Sequence, residues 1–107
     1  MPKRVVMLSF RAEATAEQIE IFVRQLEEFG ARIPYKTWIH SGLHVSLAGE
    51  PGLDQYAPDV TTPSFMAVWD FPDRAALESF VEDPIHRSFA ADVARNIVQH
   101  RFVANIL

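Results

Sequence analysis

The chain has 107 residues, 22% of them charged, a formal net charge of −4 and no cysteine. The missing cysteines exclude disulfides, thiolate metal sites and cysteine nucleophiles, and the length predicts one domain over residues 1–107. Lys and Arg are scattered along the sequence rather than gathered in a stripe, which argues against nucleic acid as a partner.

Residues 4–10 are rich in β-branched and large apolar side chains and predict a strand. Arg4, Val6, Leu8 and Phe10 fall on one face, Val5 and Met7 on the other. The run is too short for a signal-peptide core or a membrane span, and Arg11 and Glu13 follow at once, so a cytoplasmic protein with no membrane partner is expected. Thr15 with Gln18 forms a capping-box pattern. Ile19, Phe22, Val23, Leu26 and Phe29 follow at helical spacing, predicting a helix over 15–29 that Gly30 stops.

Residues 35–47 predict a second strand, with Tyr35, Thr37, Ile39, Leu43, Val45 and Leu47 facing one way and Lys36, Trp38, His40, His44 and Ser46 the other. His40 and His44 would be metal-ligand spacing on a helix, but on a strand they stand about 13 Å apart. No third ligand converges on them, and no metal is expected. Residues 48–63, with Gly49, Pro51, Gly52, Pro58 and Pro63, predict a long loop, a common place for function.

A third strand is predicted over 64–71, with Phe65, Ala67, Trp69 and Phe71 on one face and Met66 and Val68 on the other. Pro72-Asp73 starts a helix carrying Ala76, Leu77, Phe80 and Val81, which Pro84 ends. Asp83-Pro84 in turn suits an N-cap and first helical position, predicting a further helix over about 84–95. His86 then lies in its first turn, where the positive helix end favours a neutral imidazole able to accept a proton. Residues 98–107 predict a last strand, apolar on both faces.

The order β-α-β-β-α-(α)-β is that of an α+β, ferredoxin-like split βαβ: a four-stranded antiparallel sheet with helices on one face. Helices on one side leave the other apolar face uncovered, and a second copy related by a two-fold axis is the simplest cover. The expectation is a homodimer whose two sheets close face to face.

Several segments, in order, resemble the stress-responsive dimeric α/β-barrel (Dabb) family. They are the strand Val5 to Phe10, Ile33-Pro34 with Gly42 downstream, Trp69-Asp70-Phe71 followed by Ala76-Leu77, and Pro84-x-His86-x-x-Phe89. The resemblance spans nearly the whole chain and implies a homodimeric α/β barrel. One branch of the family comprises polyketide cyclases similar to olivetolic acid cyclase, which close an aromatic ring without a cofactor. Their signature histidine is the general base, with a tyrosine partner and a strand-one histidine. His86 matches the base, but the tyrosine position falls on Phe80 and the strand-one histidine position on Arg4.

These readings define the candidate site. His86 is the candidate base, or else a packing residue that fixes its turn. Arg4 either holds a carboxylate or enolate or reaches solvent from a strand end. Val6, Leu8, Phe65, Ala67, Phe80 and Phe89 would line an apolar pocket for a small aromatic or polyketide-like ligand, with Tyr56 supplying a hydroxyl from the long loop. No cofactor is expected. A roomy pocket beside His86 favours a cyclase or other proton-transfer enzyme. A cavity filled by Phe80, Phe89 and Trp69 favours a non-catalytic stress-response protein. A cofactor-free monooxygenase, by analogy with haem-degrading barrels, would need an Asn on the first strand that is not evident here.

Overall fold

The computed structural model describes residues 1–45 and 64–107. Four strands form one sheet: β1 (Lys3–Phe10), β2 (Trp38–Leu43), β3 (Phe65–Asp70) and β4 (Val98–Ile106), in the spatial order β2-β3-β1-β4. All neighbours are antiparallel, with Val6 opposite Ala67 on one side and Val103 on the other. The helices are α1 (Ala16–Arg32), α2 (Arg74–Glu82) and α3 (Pro84–Phe89); a π-helical turn, Ala90–Ala94, then leads into the short α4 (Arg95–Ile97). This is the ferredoxin-like α+β architecture that the element order predicts. Among the described residues no helix is long and apolar enough to cross a membrane.

The helix starts follow their caps. The Thr15 hydroxyl accepts the Gln18 N–H at 3.1 Å while the Gln18 side chain accepts the Thr15 N–H at 2.9 Å, closing the capping box. Asp73 caps α2 by accepting from Ala76 N–H at 2.8 Å. The end of α1 departs from expectation. Gly30 does not stop it; the helix runs on to Arg32 and ends at Ile33, whose extended backbone is what a following proline requires. Gly30 has a different reason to be there. A Cβ at this position would lie 3.3 Å from Ile39 Cδ1 and 3.7 Å from Trp69 Cη2, so the missing side chain lets α1 settle closely on the sheet.

Two other boundaries differ from the sequence reading. The second strand is shorter than 35–47, beginning at Trp38 and ending at Leu43. The helix expected over 84–95 is interrupted after Phe89 by the π turn. The predicted loop 48–63, with Tyr56, lies outside the described residues.

The core lies between the sheet and the helices. Leu8, Phe65 and Trp69 from the sheet meet Phe22, Leu26 and Phe29 of α1 and Leu77 and Phe80 of α2. These are the alternate strand positions and the helical stripe that periodicity assigned to the interior. The other sheet face is open: Trp38, Met66, Phe102 and Ile106 are all exposed there, at 49%, 45%, 60% and 56%. Trp38 and His40, two apart on β2, stack on it with ring centroids 5.5 Å apart.

Candidate functional site

The site is built around the junction of α2 and α3. Asp83 ends α2 and caps α3, its carboxylate accepting from Ile85 N–H at 2.7 Å. Tyr35, beyond the end of α1, is influenced by the same carboxylate: hydrogen bonding to Asp83 first, then its negative charge, then burial raise the Tyr35 pKa above its ordinary value. Pro84 at the first helical position places His86 just inside the turn.

The His86 ring folds back toward α2. Its Nδ1 lies 3.3 Å from the Val81 carbonyl oxygen, one of the last-turn carbonyls with no partner within its own helix. A carbonyl oxygen only accepts, so in the neutral ring Nδ1 carries the hydrogen and Nε2 the lone pair. The ring is half-buried against Phe80, with centroids 4.3 Å apart, and Phe29, at 6.2 Å.

Burial is the largest influence on His86 and pushes its pKa below 6.5. The hydrogen bond to Val81 opposes this, the cations of Arg4 and Arg101 reinforce it, and Asp83 opposes it more weakly. The neutral imidazole expected from the helix end is thus favoured for another reason, burial beside two arginines.

His86 lines a cavity of about 550 Å³ between sheet and helices. The structure brings the expected residues to it from four elements. Arg4, Val6 and Leu8 come from β1, Phe65 and Ala67 from β3, Phe80 from α2, and His86 and Phe89 from α3. Trp69 and Phe29 close it further, with Trp69 packed on Phe80 at 4.7 Å and Phe29 stacked on Phe89 at 4.6 Å. The aromatic side chains form walls and leave a roomy space. Ala90, Ala91 and Ala94 of the π turn also border it, where small side chains keep the cavity open.

Arg4 does not reach solvent as a strand-end arginine would. It is 6% exposed, donates to Asn105 Oδ1 at 3.1 Å, and holds its guanidinium 5.9 Å from the centre of the Phe80 ring. Burial first, then Arg101, lowers its pKa, though a guanidinium stays protonated.

The sequence reading missed Arg101 together with Arg11, Arg87 and Arg95, all of which line the same cavity. Arg101 had a signal. It stands opposite Leu8 in the β1–β4 register, on the same face as Val103 and Asn105, so that face of β4 is largely polar rather than apolar. The arginines that look scattered in sequence converge in space. His40 and His44 are not part of this site; His40 is on the open sheet face, and His44 donates its backbone N–H to Ser64 O. Among the described residues no three His, Cys, Asp or Glu side chains come together as a metal would require.

A family model described as the stress responsive A/B barrel domain, Dabb, matches residues 3–106. Curated proteins give no significant match. Solved structures similar over almost the whole chain include the following three. A Dabb family protein with a ferredoxin-like fold from Mesorhizobium loti is 15% identical, covering 99% of this chain and 94% of its own, with a TM-score of 0.77. A dimeric ferredoxin-like protein of unknown function from Thermobifida fusca is 17% identical over 98% of this chain and 88% of that one, TM-score 0.75. A hydroxynitrile lyase from Passiflora edulis is 14% identical over 98% and 90%, TM-score 0.74. At these identities the likeness is one of fold.

Proposed function

This chain belongs to the stress responsive A/B barrel domain family, and from that premise we propose that it is a cofactor-free proton-transfer enzyme, of the cyclase or lyase kind, acting on a small ligand with an aromatic or polyketide-like body. One observation carries the reading. A neutral histidine, its lone pair held on Nε2 by the bond to Val81, lines an apolar cavity of about 550 Å³. A general base for a carbon acid needs that protonation state near neutral pH. His86 Nε2 takes a proton from carbon next to a carbonyl, and the negative charge left on the enolate oxygen meets the cations of Arg4 and Arg101. The fold is shared with a hydroxynitrile lyase, which supports proton-transfer chemistry in such a barrel.

The test is deuterium uptake into the methyl group of acetophenone in D2O, followed by NMR. The protein accelerates the exchange, and His86→Gln lowers the acceleration by roughly a hundredfold or more, as loss of a general base does. A loss smaller than about tenfold removes His86 from the mechanism. No acceleration by the wild type assigns the cavity to binding alone.

The functional unit in this reading is a homodimer. Trp38, Met66, Phe102 and Ile106 make the open sheet face too apolar to stand in water over that breadth. A second copy covers it with the same residues about a two-fold axis. A structural neighbour from Thermobifida fusca is dimeric, which agrees.

A further inference from the structure

We propose that the molecule taken by this cavity is an anion in its ground state, a small carboxylic acid with an aromatic body, its carboxylate received by Arg4 and Arg101. This deepens the reading of the cavity as the functional site and depends on it.

The charge distribution carries the inference. The whole chain has a net charge of −4, yet five of its ten Lys and Arg residues line this one cavity: Arg4, Arg11, Arg87, Arg95 and Arg101. Among the described residues no Asp or Glu lines it. Of the five cations elsewhere, two are ion-paired: Lys3 with Asp70, and Arg74 with Glu78. A transient enolate, with its single charge, does not call for five positive groups. Five cations around a cavity with no carboxylate in its described lining set up a standing potential that draws an anion from solution.

Arg4 sharpens the point. A charged side chain is rarely buried unless paired. Arg4 is 6% exposed, and its polar partner is the neutral carboxamide of Asn105. Its nearest charged influence is Arg101, of the same sign. A carboxylate placed between the two guanidiniums supplies the missing charge, and its planar shape matches their paired N–H donors. The ring body then lies against Phe29, Phe80 and Phe89. A doubly charged phosphate suits these apolar walls less well, because its second charge would lose water without gaining a partner.

The probes are 2-naphthoate and its neutral counterpart 2-naphthamide, titrated at millimolar concentration into isotopically labelled protein and followed by amide NMR. The expected result is that naphthoate shifts amides around Arg4, His86 and Arg101. It binds roughly tenfold or more tightly than naphthamide, the factor a charge-assisted hydrogen bond supplies. The preference falls to within about twofold in Arg4→Met and in Arg101→Gln, and weakens in high salt. Arg101 is exposed, so its replacement leaves the fold intact. Equal affinities for the two probes at the cavity overturn the anion proposal and leave the apolar pocket standing. A naphthoate preference that survives both substitutions also overturns it. Shifts confined to other surfaces overturn the proposal and the cavity reading together.

Discussion

Replacing Arg4 by methionine is expected to stabilise the protein while emptying its cavity of affinity for anions. Arg4 is 6% exposed, so its charge has been taken largely out of water. Burial of an ion costs several kcal/mol after relaxation, and only good partners recover it. The partners present are modest. The hydrogen bond to Asn105 at 3.1 Å contributes about 1.5 kcal/mol, the low end for a charged donor, because Asn105 is exposed and rehydrates when released. The contact with the Phe80 ring at 5.9 Å adds about 0.5–1 kcal/mol. Arg101 adds repulsion. Methionine keeps the apolar stem and removes the charge, so the net change is a gain of about 1–2 kcal/mol. In a chain of this size that raises Tm by about 4 °C or more. Equilibrium urea unfolding, in a buffer free of carboxylates and phosphate and at one protein concentration, gives the value. A loss of more than about 1 kcal/mol would refute the reasoning; the existing contacts would then suffice for Arg4, and no anion would be missing.

Three further outcomes follow from the same geometry. Burial holds the folded His86 below 6.5, so on acidification the unfolded chain takes up a proton that the native chain resists. Stability therefore falls as pH drops from the unfolded value toward the lower folded one, and His86→Gln removes that component. Urea midpoints measured from about pH 7.5 to about pH 5 should converge between wild type and variant if wild type is the more stable at neutral pH, and parallel profiles would count against a depressed pKa. Gly30→Ala gains about 1 kcal/mol of helix propensity but must move Ile39 Cδ1, a flexible chain end 3.3 Å away, leaving a change under about 0.5 kcal/mol. Gly30→Val overpacks the same gap and loses about 1–3 kcal/mol, and thermal melts of the pair check the close approach. Phe102→Glu places a charge on the open sheet face, on the edge strand β4, where Phe102 is 60% exposed in the single chain. Light scattering should find a dimer for the wild type and a monomer for the variant; a wild-type monomer at micromolar concentration would sink the face-to-face arrangement.

Much of the site was legible in the sequence because it depends on local rules. Asp83-Pro84 specifies the helix start that positions His86, and the alternation along β1 and β3 places Arg4, Val6, Leu8, Phe65 and Ala67 on the cavity side. The end of α1 was misread because Gly30 looks like a terminator locally. Its real constraint is the approach of Ile39 and Trp69 from the sheet. The π turn gave no advance sign: a run of Ala90-Ala91-Asp92-Val93-Ala94 is ordinary helical material, and its wider winding belongs to the wall of the cavity.

What the sequence determined by itself was the order of elements, the face of each strand and the position of His86 in its turn, since each is decided by neighbours within a few residues. What only the tertiary structure decided was the meeting of charges. Arg4 and Arg101 lie almost a chain length apart, and it is the antiparallel register of β1 with β4, Leu8 opposite Arg101 and Arg4 opposite Asn105, that turns both toward one cavity. Periodicity assigns a residue to a face but carries no information about which distant strand pairs beside it. The convergence of cations around His86 arises from that pairing.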